Sequence, residues 1–290
     1  MTANDLPSPS IPDAAALDRV SSLIERCRVA DGQPPFSDGA LVELRLGERS
    51  LKMIDERALA IVSKTEAEFV VDPDARGRGL GTQLLESILA ESAPGLLFWA
   101  HGDHQAARAL AASHGLRPIR RLLQLRMPVS SHVARTGTDQ ADAFRPGADD
   151  AGWLRVNARA FAFHPEQGSV TQADLDALQA EPWFVAEDFR VIRGDGEIIA
   201  YCWLKVEDEI GEFYVVGVDP DRQGEGLGRR LMDAGFARLA ERNIHTAALY
   251  VEADNAPAVG LYRSLGFTEH SVDLQYAVDS VVLPGTFTSR

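Results

Sequence analysis

The amino-acid sequence predicts two similar α/β domains in tandem, each of the α+β type with a mixed central sheet. One segment occurs twice, because residues 71–81 read VDPDARGRGLG and residues 218–228 read VDPDRQGEGLG. Each copy follows a short apolar run that is typical of a strand and precedes an amphipathic pattern that is typical of a helix. The chain of 290 residues is long enough for two domains of about 100–150 residues. Strands and helices in this order form a sheet covered by helices.

A second repeated block supports a duplicated domain. Residues 98–118 align with residues 250–270, and each block follows its glycine-rich segment at nearly the same spacing. Two blocks that recur in this way are the pattern of an internal repeat. The stretch between the repeats, residues 127–150, is rich in Ser, Thr, Asp, Gly and Pro, as linkers and turns are. We therefore predict two domains, at residues 1–135 and 136–290.

Periodicity in the second half predicts the helices and strands around the repeat. Thr171 is suited to the N-cap of a helix, and residues 194–196 read as a turn between two strands. The predicted helices are 151–161 and 171–180, and the predicted strands are 189–193, 197–205, 212–218 and 246–251.

Composition and charge argue against several classes of protein. The formal net charge of −14 opposes binding to phosphate backbones, so we expect no nucleic-acid partner. Cys27 and Cys202 are the only cysteines, and His101, His104 and His164 lack metal-ligand spacing, so neither a disulfide framework nor a metal site is expected. The chain has no signal-peptide pattern and no apolar run of about 18–20 residues. We expect a cytoplasmic protein without a membrane partner.

The glycine-rich segment of the second half has the chemistry of an anion site. Gly224, Gly226 and Gly228 remove side chains where a strand turns into a helix, so backbone N–H groups can converge on a diphosphate at the positive end of the helix dipole. A P-loop would need Lys and then Ser or Thr where Arg229 and Arg230 stand. A Rossmann turn would need its last glycine one position later. Both alternatives fail on spacing.

The block that begins at Asn255 adds a candidate proton donor. Asn255 is a good N-cap and Pro257 is tolerated in the first turn of a helix. Tyr262 follows Asn255 by nearly two helical turns, so both side chains point to the same face. A tyrosine hydroxyl on that face could protonate a leaving thiolate.

Together these elements resemble the GNAT family of N-acetyltransferases. The family's diphosphate-binding motif, Gln/Arg-x-x-Gly-x-Gly/Ala, is matched at residues 223–228 and again at residues 76–81. The resemblance implies that acetyl-CoA lies in a V between two splayed parallel strands. The residues that it implies for this co-substrate in the second half are Val216, Gly217, Val218, Gln223, Gly224, Glu225, Gly226, Leu227, Gly228, Arg229, Asn255, Ala256, Pro257, Ala258, Val259 and Gly260. Those in the first half are Phe69, Val70, Val71, Arg76, Gly77, Arg78, Gly79, Leu80 and Gly81.

The reaction requires a neutral amine, so a base near the thioester is useful. A free α-amine has a pKa of roughly 7.7–8, which means that the base need not be strong. Glu212 lies on the strand that leads into the loop, and alternation places Tyr214 and Val216 on its face. We predict Glu212 as the base and Tyr262 as the acid.

The first half lacks this acid. Alignment of the second block places Ala111 opposite Tyr262 and His104 opposite Asn255. We therefore expect the first domain to be catalytically silent. Its Arg76 and Arg78 would still favour an anion, and the sequence leaves open whether acetyl-CoA binds there.

A closer resemblance within the family concerns the acceptor. Residues 161–169, 212–220, 249–255 and 262–276 are similar to a tandem GNAT enzyme that acetylates the cysteinyl amine of a cysteinyl-glucosaminyl-inositol conjugate. The resemblance implies substrate contacts from Asp38, Glu166, Lys205, Glu212 and Tyr250. We expect a monomer, although the sequence itself does not reveal the oligomeric state. Another amine, such as an aminoglycoside or a protein N-terminus, and a non-catalytic acyl-CoA sensor are the alternatives.

Overall fold

The computed structural model describes residues 12–132, 141–162, 167–207 and 209–278. Its helices and strands are, in chain order, α1 (Ala14–Asp31), α2 (Asp38–Leu46), β1 (Ser50–Ile54), β2 (Ala58–Val62), β3 (Glu66–Val71), α3 (Leu80–Glu91), β4 (Leu97–Ala100), α4 (Gln105–Ser113), β5 (Leu116–Pro128), β6 (Asp142–Ala143), α5 (Asp150–Ala160), α6 (Gln172–Gln179), β7 (Phe189–Gly194), β8 (Glu197–Glu207), β9 (Ile210–Val218), α7 (Leu227–Glu241), β10 (Thr246–Glu252), α8 (Ala256–Leu265) and β11 (Thr268–Val278).

The chain forms two compact units that exchange their last strands. The first unit contains the described residues of 1–122 and 271–290, and the second contains those of 123–270. Most of β11 therefore belongs to the first unit, although it ends the second half of the chain, and β5 belongs to the second unit from Leu123 onward. The predicted boundary near residue 135 lies outside the described residues and stays a prediction.

The first unit contains a mixed sheet in the order β1-β2-β3-β4-β11. Strands β3 and β4 run parallel, and the other neighbours run antiparallel. Helices α1 and α2 supply a core of apolar residues on one face, among them Leu23, Cys27 and Leu44 against Leu59 and Ile61. Two αL caps, at Gly32 and Gly47, end these helices.

The second unit contains the sheet order β5-β10-β9-β8-β7-β6, with β9 and β10 parallel. Its core beside α5 is aromatic: the ring of Phe189 stacks on Trp203 with centroids 4.5 Å apart, and Trp153 meets both rings edge to face. Helix α7 covers the other face, where Phe236 contacts Phe213. Each unit thus contains a mixed sheet packed against helices, as the sequence predicts.

The local signals in the sequence place several elements correctly. The predicted helix 171–180 is α6, and Thr171 caps it in a capping box with Asp174. The predicted helix 151–161 is α5, and the predicted strand 212–218 lies within β9. Asn255 caps α8 by accepting a hydrogen bond from the backbone N–H of Ala258 at 3.3 Å.

Candidate active site

The glycine-rich segment of the second unit is an open turn between β9 and α7. The carboxylate of Asp219 accepts a hydrogen bond from the backbone N–H of Asp221 at 3.0 Å and starts the turn. Gly224 and Gly226 have φ of 81° and 76°, a left-handed conformation that other residues rarely adopt. A Cβ added at either glycine would have no neighbour within 4 Å. The backbone amides at the start of α7 are therefore accessible to an anion.

The first unit builds the same turn between β3 and α3. Asp72 accepts from the backbone N–H of Asp74 at 3.0 Å, and Gly77 and Gly79 have φ of 73° and 83°. Gly79 is the N-cap of α3, as Gly226 is of α7. The repeated sequence thus folds into a repeated anion-binding geometry.

In both units the two parallel strands separate where the turn begins. Strands β3 and β4 pair from Glu66 opposite Leu97 only as far as Glu68 opposite Trp99. Beyond this pair, the register between the two strands includes no β4 residue opposite residues 69–71. A gap between parallel strands leaves backbone N–H and C=O groups that an extended ligand can bond.

Strands β9 and β10 separate in the same way in the second unit. Their paired residues end with Ala248 opposite Glu212. Residues 216–218 of β9, which the resemblance implies for acetyl-CoA, lie beyond this last pair. Glu212 is therefore located at the apex of the V between the strands.

A β-bulge at Tyr214 corrects one expectation about this strand. Opposite β8, Lys205 pairs with Glu212 and Leu204 with Phe213, but Trp203 pairs with Val215. Tyr214 is the extra residue, so the face that holds Glu212 continues through Val215 rather than through Val216. The prediction that Val216 shares the face of Glu212 was wrong because a bulge reverses the alternation.

The bulge also shapes the surroundings of Glu212. Lys205, directly across from it, places its ammonium 2.8 Å from the carboxylate of Glu207 and 5.6 Å from the ring centroid of Trp183. The ring of Tyr214 meets Trp183 edge to face at 5.4 Å. The half-buried Glu212 thus lies directly across from the cation that contacts this aromatic group.

Tyr262 lies on the opposite face of the sheet, beside α7. Its side chain is only 9% exposed, and its ring meets Phe267 edge to face at 6.0 Å. Burial raises the pKa of the Tyr262 phenol to about 12, and the nearby thiol of Cys202 acts in the same direction. The phenol is therefore protonated at neutral pH and can donate a proton. The register of β9 with β10 ends at Glu212, in the sheet between these two faces.

Two charged side chains of the second turn form an ion pair with each other. Arg222 donates two hydrogen bonds to the carboxylate of Glu225, at 2.8 and 2.9 Å, and these lower the pKa of Glu225. Arg229 points along α7 towards Asp233, with its Nε 3.9 Å from Oδ1. At this distance Arg229 makes no hydrogen bond to Asp233 through Nε, which is buried without a partner among the described residues.

A cavity of about 750 Å³ occupies the corresponding place in the first unit. It is lined by residues 69–71, by Arg76, Gly77, Gly79, Leu80 and Gly81 of the turn, and by residues of β4 and α4. Arg78 is not among its lining residues. The guanidinium of Arg76 donates to both oxygens of Asp31, at 2.7 and 2.6 Å, so its charge is compensated within the protein.

The first unit also contains a buried ionic cluster that the sequence did not reveal. The ring of His101 donates to Glu68 through Nε2 and to Asp273 through Nδ1, each at 3.1 Å. Burial of the ring lowers the pKa of His101, but these hydrogen bonds outweigh it and raise the pKa to about 10. Ser37 donates to Glu68 through its backbone N–H and its hydroxyl, both at 2.7 Å.

The residues predicted to contact the acceptor do not all lie in the same unit of the structure. Tyr250 is 42% exposed, and its hydroxyl accepts a hydrogen bond from Gln124 at 2.5 Å. Lys205 shares the second unit with it, whereas Asp38 is the first residue of α2 in the first unit. Glu166 lies outside the described residues, as does His164. These acceptor roles stay predictions.

No group of three or more His, Cys, Asp or Glu side chains could hold a metal ion in the described ranges. In the same ranges, no helix is both long and apolar enough to span a bilayer.

Comparison with known proteins identifies the class. The profile of the "Acetyltransferase (GNAT) family" matches residues 55–116 and 153–267, one region in each half. The chain belongs to this family, as the resemblance implied, and it is an acetyl-CoA-dependent N-acetyltransferase.

The most similar relatives share a more specific name. A protein named mycothiol acetyltransferase from Streptomyces avermitilis is 42% identical over 97% of this chain and 100% of the relative. One of the same name from Clavibacter michiganensis is 43% identical over 95% of this chain and 99% of the relative.

Solved structures confirm the fold. A GCN5-related N-acetyltransferase from Sphaerobacter thermophilus matches with a TM-score of 0.66 and 21% identity, covering 92% of this chain and 93% of that protein. A tandem GNAT protein from the clavulanic acid biosynthesis pathway matches with a TM-score of 0.65 and 15% identity, covering 92% and 95%. The predicted fold of two GNAT-like regions with mixed sheets is thereby confirmed.

Proposed function

We propose that this protein transfers the acetyl group of acetyl-CoA to the cysteinyl amine of cysteinyl-glucosaminyl-inositol, the last step of mycothiol synthesis. Relatives named mycothiol acetyltransferase, 42–43% identical over nearly the whole chain, support this acceptor. The observation that carries the chemistry is the separation of β9 from β10 directly after Glu212. It is the place where a thioester can meet both a carboxylate and a phenol.

The second unit holds acetyl-CoA in this proposal. The amides of residues 223–229 bind its diphosphate at the start of α7, where the helix dipole favours negative charge. Residues 216–218 bond the extended arm along the open edge of β9, and residues 255–260 of α8 close the other side. The first unit offers its cavity to a second CoA through residues 69–71 and 76–81.

Glu212 and Tyr262 divide the proton transfers. Glu212 accepts a proton from the ammonium of the acceptor, which leaves a neutral amine that attacks the thioester carbonyl. The C–S bond breaks as the C–N bond forms, and Tyr262 donates its proton to the departing sulfur. The second proton that the attacking nitrogen loses as the amide forms then returns the Tyr262 phenolate to its neutral form. The raised pKa of Tyr262 keeps the phenol protonated for this step. Products are an N-acetyl amide and CoA.

The polyol of the acceptor requires hydrogen-bonding side chains. Asp38, Glu166, Lys205 and Tyr250 are proposed to bind its hydroxyl groups. Alanine at each position, tested separately, should raise KM for the acceptor and leave KM for acetyl-CoA within about threefold. A variant with an unchanged acceptor KM would remove that residue from the contacts.

The decisive test compares acceptors. The full chain is assayed with acetyl-CoA and cysteinyl-glucosaminyl-inositol, an aminoglycoside, and a peptide with a free N-terminus. The highest kcat/KM is expected for the first. Faster turnover of another amine would redirect the assignment within the family, and absence of any transfer would favour a sensor.

Two further features are proposed. The protein acts as a monomer in the cytoplasm, and its two free, buried cysteines suit a reducing compartment. Light scattering after size exclusion should give one chain of 31.5 kDa, and a doubled mass would contradict this.

A further inference from the structure

The first turn of α2 is attached to the sheet of the first unit through one carboxylate. Ser37 is the N-cap of α2, and its hydroxyl accepts a hydrogen bond from the backbone N–H of Ala40 at 3.2 Å. Ser37 also donates twice to Glu68 of β3, through its backbone N–H and its hydroxyl, each at 2.7 Å. Asp38 follows directly, so its Cα lies about 3.8 Å from that of a residue held at two atoms. The position of the Asp38 backbone is therefore defined relative to the sheet.

Glu68 is in turn held from its other side. Its side chain is 1% exposed, and Nε2 of His101 donates to its Oε2 at 3.1 Å. The other ring nitrogen of His101 donates to Asp273 of β11 at 3.1 Å, and Asp273 also accepts from the backbone N–H of Gly102 at 2.9 Å. Burial would raise the pKa of Glu68, but the hydrogen bonds from His101 and Ser37 outweigh it and lower the pKa. A continuous chain of hydrogen bonds between charged groups thus leads from β11 to the start of α2.

The start of a helix does not require such an arrangement. Thr171 caps α6 in a capping box with Asp174, which uses only groups of the same turn. Burial of a carboxylate is costly unless the charge is paired, and well-packed apolar side chains often stabilise a core as well as a buried ion pair does. What Glu68 adds beyond a local cap is a fixed position for the residues at the start of α2.

We propose that Glu68 is a positioning residue for the acceptor, because it holds Asp38 where the carboxylate of Asp38 meets the acceptor hydroxyl groups. The inference rests on the proposed function, in which Asp38 binds the polyol. The side chain of Asp38 is exposed, whereas that of Glu68 is buried away from solvent and acts through Ser37. A hydrogen bond weakens steeply when its distance and angle change, so a shift of the first turn of α2 should weaken acceptor binding.

Steady-state kinetics of the full chain with the cysteinyl acceptor test this role. Glu68→Gln keeps the size of the side chain but replaces one acceptor oxygen by an amide group that cannot accept from Ser37. It should raise KM for the acceptor by about tenfold, the size of a lost hydrogen bond to a charged group, and leave kcat and KM for acetyl-CoA within about threefold.

Glu66→Gln is the matched control on the same strand. The guanidinium of Arg49 lies 3.6 Å from the carboxylate of Glu66 and 3.8 Å from that of Glu68, so either substitution removes one negative charge beside the same cation. Glu66 accepts hydrogen bonds from Trp99 and Gln275, at 3.1 and 2.8 Å, and not from Ser37. This variant should leave KM for the acceptor unchanged.

A double-mutant cycle shows whether Glu68 acts through Asp38. Asp38→Ala removes the contact, so Glu68→Gln added to it should not raise KM for the acceptor further. A structural role elsewhere in the unit would make the two changes additive. Circular dichroism establishes that each variant is folded. If Glu68→Gln is not, Ser37→Ala removes one of the two hydrogen bonds and should raise KM with the same dependence on Asp38.

Three results would overturn the inference. These are an acceptor KM that Glu68→Gln, or Ser37→Ala in its place, leaves unchanged, additive effects in the cycle, and an equal rise of KM in Glu66→Gln. An unchanged acceptor KM in Asp38→Ala would refute the contact and the inference together. Failure of the proposed function is distinguishable, because the wild type itself would then transfer no acetyl group to the cysteinyl acceptor.

Discussion

Replacement of Tyr262 by Phe should slow acetyl transfer while leaving the fold and the affinity for acetyl-CoA nearly intact. The ring remains, so its edge-to-face contact with Phe267 at 6.0 Å is preserved. Loss of the hydroxyl removes one proton donor and no charge, because a pKa of about 12 keeps the phenol neutral. We expect the chemical rate to fall by about 10²–10⁴-fold, which is the usual contribution of a general acid. This corresponds to about 3–5 kcal/mol on the barrier.

The pH dependence of the transfer rate distinguishes a neutral Tyr262 phenol that acts as an acid from an ionised phenolate. A phenolate would become available only as the pH rises through about 12. If the neutral phenol is the active form, the wild-type rate should show no alkaline loss from Tyr262 up to about pH 10. A rate that increases with ionisation of a tyrosine would reverse the assigned role.

The assay is single-turnover transfer to the acceptor, together with KM for acetyl-CoA. Tyr201→Phe is the matched control, because Tyr201 is also buried and donates its hydroxyl hydrogen to Asn157 at 2.6 Å. This control should lose stability, by about 1 kcal/mol for the hydrogen bond, and keep kcat within about threefold. A Tyr262→Phe rate within threefold of wild type would remove Tyr262 from the mechanism.

Three other substitutions test the base, the His101 cluster and the buried ion pairs that Asp188 of the second unit forms with Arg238 and Arg242. Glu212→Gln should lower the rate of acetyl transfer near neutral pH and move the pH–rate profile to higher pH, because the amine must then lose its proton to solvent. An unchanged profile would exclude Glu212 as the base. The raised pKa of His101 stabilises the fold fully below pH 6.5, and this stabilisation is lost as the pH rises through about 10. His101→Gln should remove it. The free energy of unfolding, from denaturant titrations, should therefore change less between pH 6 and pH 10 in the variant than in the wild type. An equal difference would show that His101 does not titrate in this range. Asp188→Asn removes the buried carboxylate that Arg238 and Arg242 share, and it should lower the free energy of unfolding by about 3–5 kcal/mol. A loss below about 1 kcal/mol would mean that water compensates the two arginines.

The sequence predicted the parts of the site that depend on local backbone chemistry. The two glycine turns follow from residue type, since only glycine readily adopts the positive φ of Gly77, Gly79, Gly224 and Gly226. The caps at Thr171 and Asn255 likewise depend on one side chain and the next turn of helix. Such signals lie within a few residues and can be read without knowing the fold.

The features that the sequence missed depend on distant partners. The bulge at Tyr214 is defined by its register with β8, and no residue in β9 marks it. His101 is bound by Glu68 on β3 and by Asp273 on β11, which is 172 residues away. Asp273 reaches the first unit only because β11 is exchanged, a consequence of sheet pairing that periodicity does not encode.

The two units differ in how easily each function is lost. In the proposed function, binding of a diphosphate depends on backbone amides and on two positive-φ glycines, and each unit has such a pair. In the proposed mechanism catalysis depends on two side chains, and Ala111 in place of Tyr262 removes one of them without a change in the glycine-rich turn. In the first unit the apex of the V holds the Glu68–His101–Asp273 cluster, which stabilises its sheet through ionic hydrogen bonds. In this proposal the first unit lacks the catalytic acid but retains the backbone geometry that binds CoA. The two properties are separable because binding depends on the backbone of the turn and catalysis on side chains elsewhere in the fold.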